Sequence, residues 1–415
     1  MRRINPLTQI PPNANVLDDA QKSVLSSLAF FERSATLESL IAISLLDRNA
    51  LRSALETLTA VSLVGEELGA EDRYHLNQLT RGYVQRKVLG DDLARRNFGT
   101  RFFRYWLEYS RRYAVGRDSY QTFQHLDTEW PNIKAAHHWL WSACFQDGKV
   151  TAPDLAGLLN EFAEVLGAYL VCRGKWDERL SLSDHAYATE ALLYNWDGAF
   201  WRSYDVAWIL IQRGEISEAE KWIVRCKHAA SRTTNSDKHK AIADRLIGLV
   251  QWANGHLAMA ARLLHSALEV MNRLALDNEM ARLANDLVVL HGQCGEGAQA
   301  RYYLETVRTL ITKPIGREEQ CRGYLSEATV ALLDGDPQRA SDWYDKTGEI
   351  ALELGRSDLH GKALMGLAAI EEKRGNTRTS LEFAKSALTH LSALRHRYAE
   401  SAQDHVFRLM NGQLP

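Results

Sequence analysis

The small and apolar positions of the C-terminal part of the chain recur with a period of about forty residues. Glycine stands at Gly174, Gly214, Gly255, Gly295, Gly335 and Gly375, spaced 40, 41, 40, 40 and 40 apart. Five residues on lie Ala219, Ala260, Ala300, Ala340 and Ser380, with Arg179 breaking the rule in the first copy. Seven before lie Gly167, Ala207, Gly248, Ala328 and Ala368, with Val288 the exception; eight before lie Leu166, Val206, Ile247, Leu287 and Leu367, with Glu327 the misfit. Twelve after come Ala186, Ala267 and Ala387, and less regularly Cys226, Val307 and Thr347. A chain of 26 glycines does not place six in such register by chance, so an irregular bundle is the poorer reading. The pattern predicts helical hairpins. Glycine closes helix A in the left-handed backbone of a C-cap. The small residues mark where helices A and B cross closely, and the large apolar neighbour fills the groove.

Residues 16–90 carry a different pattern. The stretch "DDAQKSVLSSLAFF" predicts an amphipathic helix started by Asp18 or Asp19, and "TLESLIAISLL" a second with Thr36 as cap. A third, "NALRSALETLTAVSLV", runs toward a polar tip. Leu63-Val64 and Tyr74-His75-Leu76 are expected to pair as a short hairpin, followed by a closing helix.

Glycine followed by alanine at plus five and plus twelve resembles the tetratricopeptide repeat. That family's usual repeat is 34 residues, so longer helices or larger connections are expected here. The resemblance implies a right-handed all-α superhelix of about six hairpins over 154–395, each copy contacting its neighbours. The N-terminal pattern resembles the winged-helix domain that follows the nucleotide-binding core of STAND-type signalling NTPases. Its carriers are Leu25, Leu28 and Phe31, then Leu55, Leu58, Ser62, Leu63 and Val64, then Tyr74, Leu76, Leu79, Arg81 and Tyr83; the family's usual histidine after the "Y.L" is Asn77 here. The helix "FQHLDTEWPNIKAAHHWLW" resembles the one joining winged helix to repeats in the same proteins, through Glu129, Pro131, Asn132, Ala135, Ala136 and Trp139. The resulting plan is an extension (1–15), a winged helix (16–90), a helical linker (91–153), repeats (154–395) and a capping helix with tail (396–415). No G-x-x-x-x-G-K-[ST] occurs; Gly148-Lys149, Gly174-Lys175 and Gly361-Lys362 lack both the upstream glycine and the following hydroxyl residue. Without that loop the family's ATPase activity does not carry over. The resemblance implies the C-terminal, sensing half of such a protein, with an NTPase domain upstream or in trans as a partner.

Composition adds little bias. A formal net charge of -2 gives the chain as a whole no pull toward nucleic acid or membrane. Five scattered cysteines without a CxxC pair argue against a disulfide framework or zinc site and fit a reducing, cytoplasmic compartment. No apolar run suits a signal peptide or a membrane span. Eight prolines in 415 residues fit an all-helical chain.

Nothing in the residues supports an enzyme, a cofactor or a metal. His137-His138 point to different sides of a helix and suit packing or surface roles; His291-x-x-Cys294 has ligand spacing but no second pair nearby. Residues 81–117 hold ten Lys/Arg against three acids, with interleaved aromatics. Arg95, Arg96, Arg101, Arg104, Arg111 and Arg112 would contact nucleic acid or a neighbouring domain, or form a solvated face over an aromatic core face. The main candidate is the groove lined by helices A. Trp201, Tyr204, Trp208, Arg245, Leu249, Trp252, Arg282, Asn285, Arg322 and Leu325 project toward it. Aromatics and arginines anchor interfaces. Such a strip suits a protein or peptide, or an acidic or phosphorylated ligand; alternatively the tryptophans are core. The expected function is non-catalytic recognition in a signalling protein. A DNA-binding regulator using the winged helix and basic linker is the alternative, and a constitutive scaffold a third.

Overall fold

The computed structural model describes residues 17–67, 69, 72–89, 91–115 and 119–412. The N-terminal extension and Arg117 lie outside the described residues. The chain divides into two compact units between Val165 and Leu166.

The first unit begins with α1 (Asp19–Leu28), β1 (Ala35–Thr36), α2 (Leu37–Ser44), α3 (Arg48–Ala60), β2 (Gly65–Glu67) and β3 (Arg73–His75). Side chains start the helices. Asp18 and Gln21 form a reciprocal capping box on α1, Thr36 accepts from the Ser39 amide on α2, and Asp47 accepts from two amides of α3. The strands form an antiparallel sheet in the order β1-β3-β2. The hairpin pairs Gly65 with His75 and Glu67 with Arg73, two residues beyond the Leu63-Val64 start read from the sequence. The amides of Leu63 and Val64 instead turn back to the Leu58 carbonyl, so their backbone cannot join the ladder. Leu25, Leu28, Phe31, Leu40, Ile43, Leu51 and Leu58 make the core of this part.

After α4 (Gln78–Tyr83) and a π-helical turn come α5 (Asp92–Ala114) and α6 (Phe123–Cys144), a small hairpin of β4 (Phe145–Gln146) and β5 (Lys149–Val150), and α7 (Pro153–Val165). Helices α5 and α6 approach closely because Gly99 lies under Trp139; a Cβ there would sit 2.0 Å from the indole. Helix α7 packs on both, tied by Arg96 to Asp154 at 3.1 Å and by Arg111 to Glu161. It therefore belongs to the first unit, whereas the periodicity starts the repeats at 154.

The second unit holds six helical hairpins. They are α8 (Gly167–Cys172) with α9 (Trp176–Leu192), α10 (Trp196–Arg213) with α11 (Ile216–Ala230), α12 (Ser236–Ala253) with α13 (Leu257–Arg273), α14 (Asp277–Gln293) with α15 (Gly297–Ile311), α16 (Arg317–Leu333) with α17 (Pro337–Leu354), and α18 (Ser357–Lys373) with α19 (Thr377–Ala393). A last helix, α20 (Ala399–Met410), caps the stack. The long period has a simple cause: α12, for example, runs 18 residues and α13 runs 17, so the helices rather than the turns are long.

All six register glycines have positive φ, between 65° and 81°. In each, the glycine amide reaches back three residues and the next amide five, as in Lys175 to Leu170, Glu215 to Leu210 and Asn376 to Glu371. This double bond pattern is the Schellman termination that satisfies the last carbonyls of helix A. The same termination ends four of the B helices, at Tyr194, Ala275, Gly355 and Arg395, where only one residue is glycine. At the crossings, Ala219, Ala260, Ala300, Ala340 and Ser380 are fully buried. Ser380 donates to the Ala368 carbonyl at 2.8 Å, so the plus-five and minus-seven positions meet across the hairpin. A Cβ on Gly248 would lie 3.0 Å from Leu264. One apolar core runs without a break from Ala199 to Val330.

The stack returns on itself. Leu394, after α19, packs with Trp176 and Ile209 of the first two hairpins. The Arg397 amide donates to the Gln212 carbonyl at 2.8 Å, Arg213 donates to the Leu394 carbonyl, and Asp177 accepts from both Arg213 and Arg395. Hairpins one, two and six therefore close the superhelix.

Candidate functional site

That closure borders an open-mouthed cavity of about 310 Å³ on the inner side of the repeats. The A helices supply its wall in sequence order. Trp208 and Gln212 come from α10, Arg245, Leu249 and Trp252 from α12, and Asn285, Asp286 and Gln293 from α14. Arg322 and Leu325 come from α16, and Lys362 and Met365 from α18; Arg397 and Tyr398 of the closing turn complete it. A second hollow of about 360 Å³ shares Trp252, Gln293, Arg397 and Tyr398 with the first, so the closing turn stands between two spaces. Volumes of this size match small-ligand sites.

Of the residues projected from the sequence, Trp208, Arg245, Leu249, Trp252, Asn285, Arg322 and Leu325 line the first cavity together. Trp201, Tyr204 and Arg282 lie in a polar and aromatic layer beside it. Trp201 packs edge-on to Tyr204 and His239. The Tyr204 hydroxyl accepts from Arg245 Nη1 at 2.9 Å. Arg282 donates to Glu319 at 2.9 Å and Glu279 at 3.1 Å.

The polar groups of this layer are mostly engaged. Arg245, almost fully buried, donates Nε to Asp286 at 2.7 Å. Burial works against its charge, but Asp286 and Tyr204 hold the guanidinium above the ordinary arginine value. Asn285 donates to the Glu319 carbonyl and accepts from Ser326 Oγ at 2.7 Å. Trp252 Nε1 donates to Gln293 at 2.7 Å while the ring stays at the wall. Trp208 is half-buried: one side packs on Trp176 at 5.7 Å between ring centroids and the other lines the cavity. The core and groove readings of this tryptophan thus both describe it.

The charged corner at α16 and α18 differs. Arg356 is fully buried and held by Asp358 through two bonds of 2.8 Å and by Glu318 at 2.5 Å. Burial would raise the Glu318 carboxyl, yet Arg356 and Arg322 bring it down to about 2. Lys362 and Arg397 face the same space, and among the described residues neither has a carboxylate within ion-pair distance. Arg397 leans on the Tyr398 ring at 5.0 Å, and Lys362 lies 5.7 Å from it. Burial pushes the Lys362 amine down to about 8, with the Arg322, Arg397 and Arg356 charges adding to the effect and Asp358 opposing it. Burial with the neighbouring Lys362 charge pushes His396 down to about 2.

Lys362 and Met365 stand at the same distance before Gly375 as Arg322 and Leu325 before Gly335. Extending the groove projection one repeat would have reached them. Arg397 and Tyr398 lie beyond the repeats, and no periodic signal points to them.

In the first unit, the six candidate arginines sit along α5. Arg96, Arg111 and Arg112 pair with Asp154, with Glu108 and Glu161, and with Glu38. Arg95 donates to the Gln85 carbonyl, Arg101 lies over the Phe98 ring, and Arg104 is exposed. The interleaved Phe102, Phe103 and Trp106 are core. The "E.PN" residues of α6 build a buried network instead of a surface. Glu129 accepts from Arg73 at 2.6 Å and Asn132 at 2.9 Å, while Asn132 accepts from the Arg33 amide and donates to the Ser34 carbonyl. His291 stacks on Tyr303 and bonds Glu296; Cys294 is exposed. Among the described residues no cluster of His, Cys, Asp and Glu is placed to hold a metal, and no helix is long and apolar enough to cross a membrane.

No protein-family model and no curated protein matches the chain. Solved structures do. A STAND protein with a tetratricopeptide repeat sensor from Pyrococcus horikoshii aligns with 97% of this chain at 14% identity and a TM-score of 0.55. The chain spans 55% of that protein's length. A Rap protein complexed with competence and sporulation factor aligns with 90% of this chain and 95% of its own at 13% identity and a TM-score of 0.41. Tetratricopeptide-like repeats of a putative kinesin light chain from Podosopora anserina cover 46% of this chain and 93% of theirs, at 16% identity and a TM-score of 0.33. At these identities the likeness concerns the fold: an all-α tetratricopeptide-like repeat superhelix.

Proposed function

We propose that the chain is a non-catalytic sensor module of a STAND-type signalling protein, in which the closed repeat superhelix recognises a ligand or short peptide inside its cavity. The observation that carries this reading is the cavity wall, to which five successive A helices and the closing turn each contribute. A ligand touching that wall interacts with several repeats at once and so can bias their packing, which is what a sensor requires. The order α1–β1–α2–α3–β2–β3 with sheet order β1-β3-β2 supports reading the start of the first unit as a winged helix, the element that would relay occupancy to an NTPase domain in the same polypeptide or in trans. The free cysteines suit a reducing, cytoplasmic setting. The pairing of α5 arginines with carboxylates, and the burial of the aromatics between them, favour a structural role for that helix over nucleic-acid contact.

Native mass spectrometry of the full chain purified under mild conditions tests the proposal. A bound species is expected on the wild type and absent from Leu325→Trp, which fills the cavity. A species retained equally by the filled variant, or none recoverable from extracts or a ligand library, would overturn it.

A further inference from the structure

The carboxylates around the α16–α18 corner are already taken. Asp358 is held by Arg356 through both oxygens, and Glu318 lies 2.5 Å from the same guanidinium. Glu319 is held by Arg282 at 2.9 Å. Arg322 is left with Glu318 at 3.4 Å and Glu319 at 3.8 Å, both shared. Lys362 and Arg397 have no carboxylate partner among the described residues, and the buried Nε of Arg397 has no hydrogen-bond acceptor. Arg397 Nη2 donates only to the neutral Tyr398 hydroxyl at 3.3 Å, and a half-buried cation without a counter-ion is costly. Two beside a third, on the wall of one cavity, make an arrangement that an anion would complete.

Resting on the sensor reading above, we propose that Lys362, Arg397 and Arg322 form a subsite for an anionic group, a carboxylate or a phosphate, of the ligand that the cavity recognises. Arg322 and Arg397 offer planar forks of N–H donors and Lys362 a point charge. Trp208, Trp252 and Tyr398 with Leu325 and Met365 would take the less polar remainder of the ligand. The placement has a mechanical consequence. Arg397 belongs to the turn that closes the superhelix, whereas Arg322 and Lys362 belong to the fifth and sixth hairpins. An anion bridging them strengthens the closure, so anion occupancy and closure are coupled.

Inorganic phosphate is the probe. Titration of the full chain by calorimetry at constant ionic strength, with chloride as the balancing anion, is expected to show saturable binding. Lys362→Met and Arg397→Met should each weaken it at least tenfold while melting as cooperatively as the wild type, since each removes an uncompensated charge. A second readout needs no variant. The pH profile of Lys362 acetylation by acetic anhydride, read by peptide mass spectrometry, should move upward on adding phosphate, because a bound anion adds to Asp358 in favouring the ammonium form against burial and the charges of Arg322, Arg397 and Arg356, with His396 neutral beside it. Absence of saturable binding, equal binding by the variants, or an acetylation profile that phosphate leaves in place would overturn the subsite. A cavity that binds an uncharged ligand and rejects phosphate would remove this inference and leave the sensor reading intact.

Discussion

The backbone amide of Arg397 donates to the carbonyl of Gln212 across 2.8 Å, joining the turn after the sixth hairpin to helix A of the second. Terminal repeats in an open stack contact a neighbour on one side only. Here both ends share one contact, in which Leu394 fills the space between Trp176 and Ile209.

Leu394→Ala should open that contact. Removing a buried leucine costs about 2–4 kcal/mol, and the loss falls on the closing segment. Hydrogen exchange should accelerate together over residues 172–177, 208–214 and 394–401, while α14 and α15 in the middle change little. Uniform acceleration along the repeats would mean that the closure is not a separate cooperative unit.

The register glycines give a paired test of backbone against packing. A Cβ on Gly255 meets nothing within 4 Å, so Gly255→Ala isolates the left-handed backbone at φ 79° and should cost about 1–2 kcal/mol. Ala275 occupies the equivalent αL position at the end of α13 with φ 53°. Ala275→Gly should stabilise by about 0.5–1 kcal/mol, the relief of strain being offset in part by unfolded-state entropy. Chemical denaturation of both variants checks the opposite signs.

Glu190 on α9 is buried against the first turn of α10 beside Gly198. Burial pushes its carboxyl up to about 7, with Asn195 and Arg202 opposing. The folded state therefore holds a proton that the unfolded state releases near 4.5, and stability falls as pH rises from there toward 7. Glu190→Gln should raise stability at pH 8 by about 3 kcal/mol and leave it unchanged near pH 4, following the shift at 1.36 kcal/mol per pH unit. Melting curves at both pH values decide it; an equal gain at each would assign the effect to packing.

The pair of half-buried Arg73 and buried Glu129 links β3 to α6 in the first unit. Glu129→Ala leaves the half-buried Arg73 with only its Ser34 bonds and should cost about 2–3 kcal/mol. Restoring part of that loss with Arg73→Leu in the double variant would identify the uncompensated charge as the cause.

The repeats were legible because one backbone requirement, a left-handed residue after helix A, recurs with a residue type that signals it. The B-helix ends have the same geometry at Tyr194, Ala275 and Arg395, but side chains that carry no such signal hid them. The sequence places the hairpin of the first unit two residues early because Leu63 and Val64 have strand-like side chains, while their amides belong to the end of α3. The groove positions followed from periodicity as far as Arg322 and Leu325. Closure of the superhelix did not, since it depends on how a small rotation per hairpin accumulates over six copies. Arg397 and Tyr398 enter the cavity only through that accumulation.

Arg245 shows where composition misleads about chemistry. On a helical projection it is a groove arginine available to an acidic ligand. In the fold its Nε is committed to Asp286 at 2.7 Å and its Nη1 to the Tyr204 hydroxyl at 2.9 Å, with almost no surface exposed. Breaking such a pair from one side is more damaging than removing both charges, because the remaining partner stays buried and alone. Arg245→Ala should therefore cost about 3–5 kcal/mol and lower the melting temperature regardless of any ligand. Arg245→Met with Asp286→Leu should recover most of the loss. Lys362→Met, at a cation with no such partner, should leave stability unchanged or higher. A stable, well-folded Arg245→Ala would return that arginine to the set of free recognition groups, and the ranking of Lys362 and Arg397 above it would have to be reversed.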